Sequence, residues 1–238
     1  MKKGLLLLTI IYSTLCFTKE TKSNKSYFSG NFDLGLNFTK NTEETFQFNN
    51  IFKLKYIFKN HVLALNNSIN FISKTGQEEL LNKGKQDLKY EFTSKNLNVG
   101  FSFENLYDIS RKIKNRHTAG IGMSCGLFDK KNINIGISVQ REKESVLFGD
   151  DKLQNRLNSN ILFIKNIKES IKVIFKNSYQ PNIEDFGDFR WISSLSLRMN
   201  LSSQFLLSIN TQFNYDSVPE IGIPESDYQL INSVSYSF

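Results

Sequence analysis

The chain has 238 residues, of which 39% are hydrophobic and 13% aromatic, and its formal net charge is +7. Its 30 Lys and Arg residues are spread along the sequence, so the basic excess predicts no nucleic-acid partner. The mean hydropathy of -0.34 does not exclude a membrane barrel, because such a barrel needs apolar side chains on only one face of each strand.

The first twenty residues, "MKKGLLLLTIIYSTLCFTKE", have the layout of a secretory signal. Two lysines precede an apolar run from Leu5 to about Phe17, which is too short for the roughly twenty residues that a membrane-spanning helix requires. We therefore predict a signal peptide over 1–18 and a short periplasmic segment over 19–26. The exported chain is predicted to lie in the bacterial envelope.

The two cysteines predict neither a disulfide nor a cofactor site. Cys16 invites interpretation as a lipidated cysteine, but the residue before it is Leu15, where a small residue is usual. If Cys16 leaves with the signal, Cys125 has no partner for an intrachain disulfide.

After residue 26 the apolar residues recur with a period of two, which is typical of β-strands. Phe32, Leu34 and Leu36, for example, share one face, while Asn31 and Asp33 lie on the other. Only 3 prolines interrupt the chain, and its 21 Phe and 9 Tyr favour strands. The pattern predicts about twelve strands, over 27–39, 45–58, 62–74, 87–93, 97–107, 117–128, 133–144, 153–164, 171–181, 189–199, 204–216 and 226–238.

The predicted connections alternate in length, apart from the first. Connections near 59–61, 93–96, 129–132 and 200–203 are short, whereas those at 75–86, 108–116, 145–152, 182–188 and 217–225 are long. Such alternation is typical of an all-β, antiparallel, up-and-down transmembrane barrel, here over 27–238. We predict a barrel in the outer membrane with both termini periplasmic, in contact with outer-membrane lipids and lipopolysaccharide.

The last strand ends the chain on an aromatic residue. Val234, Tyr236 and Phe238 alternate with serines, and this parity predicts that they face lipid. Because an unpaired strand edge cannot stay exposed in lipid, the last strand is expected to close against the first. We interpret these three residues as the signal read by the barrel-assembly machinery; the alternative is a soluble β-domain that happens to end in Phe.

Three stretches resemble a known family. "GNFDLGLNFTKNTEE" (30–44) is similar to the opening strand and turn of the domain-of-unknown-function family typified by salt-stress-induced outer-membrane proteins, with Lys40 at the family's turn Gly. "EDFGDFRW" (184–191) is similar to its acidic loop, and "NYDSVPEIGIPESDYQLINSVSYSF" (214–238) to its closing hairpin. The resemblance implies an outer-membrane barrel with a structural or envelope-stress role and no catalytic chemistry.

Charged residues occupy the strand face opposite to the apolar one. A lipid-facing charge near the midplane costs about 2–4 kcal/mol, so these side chains are predicted to line the lumen. They are Lys53, Lys55, Asp87, Lys89, Glu91, Arg156, Lys172, Lys176, Arg190, Arg198 and Asp227. Either they interlock as a salt-bridged plug, or they line a narrow, slightly basic channel for small solutes in which Arg190, Arg198 and their lysine neighbours form one basic ladder.

An outer-membrane lipid hydrolase is the enzymatic alternative, and it would need a serine beside a histidine. His61 falls in a predicted periplasmic turn, while His117 follows Ser110 and could pair with it. The acidic loop residues lack the spacing of a cation site, so we interpret them as solvated charge; they are Asp150, Asp151, Glu184, Asp185 and Asp188. The sequence thus predicts neither an enzyme nor a metal site.

Overall fold

The computed structural model describes residues 26–40, 44–74, 81–127 and 132–237. The predicted signal peptide over 1–18, almost all of the segment over 19–26, and Phe238 lie outside these residues. Within them, no helix is long and apolar enough to cross a bilayer.

The described residues form twelve strands and one short 3-10 turn, η1 (Ile109–Arg111). The strands are β1 (Ser26–Lys40), β2 (Glu44–Phe58), β3 (His61–Lys74), β4 (Leu81–Ser94), β5 (Leu97–Asp108), β6 (Ile113–Leu127), β7 (Ile133–Val146), β8 (Lys152–Lys168), β9 (Ile171–Pro181), β10 (Phe189–Asn200), β11 (Phe205–Asp216) and β12 (Ser226–Ser237). Each strand pairs antiparallel with its sequence neighbours, and β12 pairs with β1. The prediction of a single closed up-and-down barrel is confirmed.

The largest difference from the predicted strands is in β4, which begins at Leu81 rather than near residue 87. Its first residues, "LNKGKQ" (81–86), show no apolar alternation. They nevertheless pair with β3, from Leu81 opposite Ile72 to Gln86 opposite Asn67. Backbone pairing with a long neighbouring strand extends β4 where the side-chain pattern gives no signal.

The barrel has two different rims. The terminal rim is the end at which β1 begins and β12 ends, with tight turns such as those at 59–60, 95–96 and 169–170. The loop rim is the opposite end, with connections that include 147–151, 182–188 and 217–225. Of these, 182–188 and 217–225 contact the lumen or its mouth and shape the site.

The outer face of the barrel is apolar and exposed. Directly opposed residues of antiparallel strands point to the same face, so the registers assign each strand residue to the inner or the outer side. The outer side includes Ile121, whose side chain is 67% exposed, and also Phe101, Met123 and Val139. An exposed apolar surface that encircles the molecule requires a nonaqueous surrounding.

Aromatic rings border this apolar belt at both rims. Tyr179, Phe189 and Tyr215 stack in a row at the loop rim, with ring centroids 5.3 and 5.6 Å apart. Phe205 contacts Tyr236 at the terminal rim, at 5.6 Å. Phe205 and Tyr215 lie on β11 about 33 Å apart along the strand, or about 25 Å along the axis of a barrel whose strands tilt by about 40°. This matches the height of a lipid-facing band.

The seam between β1 and β12 is the shortest ladder. Among the described residues it pairs 31–34 with 234–237, and the amide of Asn31 donates to the Ser237 hydroxyl at 2.5 Å. Val234 and Tyr236 face outward, as their parity predicts, because they oppose the outward residues Leu34 and Phe32. Their role in assembly remains a prediction.

Candidate functional site

The lumen is the candidate functional site. The registers place the eleven residues that were predicted to line it on the inward face of their strands: Lys53, Lys55, Asp87, Lys89, Glu91, Arg156, Lys172, Lys176, Arg190, Arg198 and Asp227. Arg190, Arg198, Lys172 and Lys176 do not form one basic ladder, however. Arg190 belongs to a charge-balanced network at the loop rim, and the other three form a basic group nearer the terminal rim.

The rim network is a set of four arginines and five carboxylates inside the loop rim. Its members are Arg111, Arg116, Arg156, Arg190, Glu142, Glu144, Asp188, Asp216 and Asp227. The charges nearly cancel, as expected where guanidinium groups are withdrawn from water.

Arg190 is the centre of the rim network. Its side chain is 8% exposed, and Nη1 donates to both carboxylate oxygens of Glu142 at 2.8 Å. Nη2 donates to Glu144 at 3.3 Å, and Nε donates to Asp216 at 3.4 Å. Because β10 and β7 are three strands apart in the ring, Arg190 ties them together through the interior. Arg190 is therefore fully paired and is not part of a free basic ladder.

Arg156 holds the β9–β10 loop against the inner wall. It is 2% exposed, and its Nη2 donates to both oxygens of Asp188, at 2.8 and 3.0 Å. Gln154 and Asn182 donate to the same carboxylate at 2.9 and 3.3 Å. The interpretation of Asp188 as solvated loop charge was wrong, because its loop turns into the barrel rather than into solvent.

Ionisation of Asp188 follows from these contacts. Burial disfavours the charged carboxylate, but the hydrogen bonds and charge of Arg156 outweigh burial and hold the pKa of Asp188 below its usual value. A lowered pKa stabilises the fold above the pKa of an unfolded aspartate, about 3.9, and this stabilisation is lost as pH falls through the folded pKa.

We therefore expect Asp188→Asn to be less stable than the wild type by a constant amount from neutral pH down to about pH 4.5, where Asp188 stays charged. Below that range the gap should shrink as the wild-type carboxyl takes up its proton. Urea unfolding of both proteins across pH measures this gap. Asp185→Asn, in the same loop but with its carboxylate accepting only from the exposed Gly187 backbone at 2.9 Å, is the control; a gap that widened in acid would contradict the assignment.

A latch crosses the mouth of the barrel at the loop rim. Nη1 of Arg111, in η1, donates to Asp227 at 2.8 Å, and Nζ of Lys112 donates to the carbonyl oxygen of Ile221 at 2.6 Å. Lys152 pairs with Glu220 in the same loop. The β5–β6 connection is six strands around the ring from the β11–β12 loop and the start of β12, so the contacts of Arg111 and Lys112, here called the mouth latch, join opposite walls.

A basic wall lies on β9 and β10, between the rim network and the terminal rim. It consists of Lys172, Lys176 and Arg198, and Lys172 directly opposes Arg198. Among the residues that the structure describes, none of the three is within ion-pairing distance of a carboxylate.

The opposite wall presents lysines that do have partners. Lys53 lies 3.7 Å from Asp33, and Lys85 lies 2.6 Å from Glu104 and 3.4 Å from Asp87. Lys89 pairs with Glu91 at 2.8 Å. The two walls therefore differ in charge.

A cavity of about 340 Å³ lies along the inner face of β5–β8. Glycine, serine and amide side chains form most of its lining, including Gly100, Gly122, Ser124, Ser138 and Asn158. At Gly122 an added Cβ would lie 2.4 Å from Cβ of Ser138, so only glycine fits between these strands. Small residues on this wall leave the lumen hollow.

The residues considered for a hydrolase are not brought together. Ser110 donates to Asp108 at 2.5 Å within η1, whereas His117 lies on the outer face beside Phe103, with 6.3 Å between ring centroids. His61 contacts the Tyr90 hydroxyl at 2.7 Å, also on the outer face. In the described ranges, no group of three His, Cys, Asp or Glu residues is arranged to hold a metal ion.

Besides Asp188, three members of the rim network were not predicted from the sequence to face the lumen. Arg111 and Arg116 fell in the predicted loop 108–116, and Glu144 lay at a predicted strand end. The available signal was local charge complementarity, because "RKIKNRH" (111–117) precedes "REKE" (141–144) on the next strand.

Comparison with known proteins gives a family and a fold. Residues 32–238 match the family model described as "Protein of unknown function, DUF481". The KdgM porin solved with disordered oligogalacturonate is 10% identical, with a TM-score of 0.50 over 88% of this chain and 99% of that one. A second KdgM porin structure gives 9% identity and a TM-score of 0.51 over the same shares, and the NanC porin gives 12% and 0.48 over 90% and 97%. The curated proteins contain no match.

Proposed function

The chain belongs to the DUF481 family, whose model covers residues 32–238. From that membership and the geometry of the lumen, we propose that it is a narrow channel for small hydrophilic solutes in the bacterial outer membrane, with both termini periplasmic. The apolar belt and its aromatic borders support the membrane location. The porin fold supports a barrel that conducts rather than one that catalyses.

One observation carries the proposal: the lumen is hollow where its wall is made of small polar residues. If the interior of the barrel served stability alone, larger interlocking side chains would fill this space. Instead, Gly100, Gly122 and Gly136 contribute to the lining of a cavity of about 340 Å³. The lining combines glycine, serine and amide residues with the charged Lys89 and Glu91, and these groups suit water and dissolved solutes.

A second candidate function rests on the mouth latch. If the latch stays closed, the barrel is a structural component of the envelope, as the resemblance to salt-stress-induced proteins implies. Arg111 and Lys112 join opposite walls at the loop rim, which favours a closed mouth. The two candidates differ in one measurable property, the passage of ions.

Single-channel recording of the refolded full chain in planar bilayers tests the proposal. We expect discrete conductance steps, and we expect Ser138→Phe, which fills the cavity from β7, to reduce them strongly. Ser193→Phe is the matched control, because Ser193 lies on the outer face of β10, where it opposes Phe213. Heat-modifiable gel mobility verifies that the barrel is folded. If the folded barrel conducts no ions at any voltage, the channel proposal is wrong and the structural function is favoured.

A further inference from the structure

The basic wall differs from the rim network in how its charges are compensated. In the rim network, buried arginines face carboxylates, and Arg190 alone contacts three of them. Lys172 and Arg198 instead stand directly opposite each other on neighbouring strands. Like charges in that arrangement destabilise a sheet. The wall therefore lowers stability unless something else compensates its charge.

Arg198 also has an unused donor. Its Nε is buried and has no hydrogen-bond partner. The residues directly opposite Arg198 on the neighbouring strands are Lys172 and Ser208. The ammonium group of Lys172 offers no acceptor. A buried donor without an acceptor lowers the stability of the fold. An acceptor supplied from the lumen would remove this cost.

The surrounding charges add to the basic wall. Lys53 and Lys85, on the opposite side of the ring, repel the charge of Lys176, while Asp87 attracts it. Together with the wall they make five cations, against the three carboxylates of Asp33, Asp87 and Glu104. The group carries a net charge of +2, so its charge would be neutralised by a dianion.

The spacing within the wall selects the shape of that dianion. Lys172 and Arg198 lie at one level, and Lys176 lies four residues, or two pleat repeats, further along β9, about 13 Å away at 3.3 Å per residue. Long side chains can converge over part of that distance. Two separated anionic groups fit this arrangement better than one compact anion does.

We propose that the basic wall is a binding site for linear dicarboxylates, with one carboxylate held between Lys172 and Arg198 and the other at Lys176. The site gives the channel a substrate class, and in that respect it rests on the proposed function. Binding itself does not require the mouth latch to open, because the wall lies on the terminal side of the rim network.

Isothermal titration calorimetry of the detergent-solubilised full chain with adipate tests the site directly. We expect wild-type binding that Arg198→Gln and Lys176→Gln each weaken at least tenfold. Lys55→Gln, which removes an exposed inward lysine outside the wall, should bind adipate as the wild type does. Adipate should also stabilise the wild type against urea, and it should stabilise the two wall variants less.

Folding does not confound this test, since removing a repelling charge from the wall should leave the ligand-free barrel as stable as the wild type or more so. Tighter binding of inorganic phosphate than of adipate would overturn the two-anchor site. Equal adipate affinity in all four proteins, or none in the wild type, would overturn the site altogether. If adipate binds but the bilayers show no conductance, the proposed channel function is wrong, whereas the proposed binding site is confirmed.

Discussion

Replacing Arg190 by methionine should lower the free energy of unfolding by about 3–5 kcal/mol, the usual effect of removing one partner from a buried ion pair. Arg190 is the group that joins Glu142 and Glu144 of β7 to Asp216 of β11. Methionine fills much of its volume but leaves these carboxylates with less compensating charge. The loss measures how far the rim network holds the two sides of the barrel together.

Urea unfolding in lipid vesicles, followed by fluorescence, measures this loss. Trp191 is the only tryptophan of the chain. It follows Arg190 in the sequence, and its side chain points to the outer face of β10. Arg198→Met is the matched control. It removes an arginine from the same strand and face, but one with no carboxylate partner among the residues that the structure describes, so its effect should be small. Adding Glu142→Gln to Arg190→Met should restore part of the stability, because Glu144 remains to pair with Arg116. Equal losses in the two single variants would show that the network does not stabilise the barrel.

Opening the mouth latch should raise the conductance of the channel severalfold. The double variant Arg111→Gln and Lys112→Gln removes the contacts of these two residues with Asp227 and Ile221. The two connections then lose their direct tie across the mouth. Single-channel recording in dilute salt measures the change, and Lys114→Gln, an exposed lysine just beyond the same turn, should conduct like the wild type.

Salt provides a second measurement on the latch. Ion pairs at the mouth are screened as ionic strength rises, since the Debye length falls from about 10 Å at 0.1 M to about 3 Å at 1 M. The ratio of variant to wild-type conductance should therefore approach one in concentrated salt. A ratio of one at every salt concentration would mean that the latch does not limit the flow of ions.

Much of the fold could be predicted because lipid imposes a period of two on the side chains of each strand. The inward or outward direction of Lys53, Arg198 and Val234 follows from that parity alone. The beginning of β4 could not be predicted, since the outward residues Asn82, Gly84 and Gln86 are not apolar. There the backbone ladder alone determines the strand.

The partners within the lumen could not be predicted from parity. Arg190 and Arg198 have the same parity on the same strand, yet Arg190 contacts three carboxylates, whereas no carboxylate in the described part of the chain is within ion-pairing distance of Arg198. Which side chains meet across a barrel depends on the stagger of its strands and on loops that turn inward, as the loop carrying Asp188 does. Neither property is written in a local sequence pattern.

The seam also bears on the order in which the barrel folds. Eleven of the twelve ladders join strands that are adjacent in sequence, so each can form as a local hairpin. The twelfth must bring together residues such as Asn31 and Ser237, which are 206 positions apart. Closing so long a loop carries the largest entropic cost of any ladder and joins residues at the largest sequence separation. Only four described residue pairs stabilise the closed seam. Ring closure should therefore be the last and slowest step of folding, and the seam the first place at which the ring reopens.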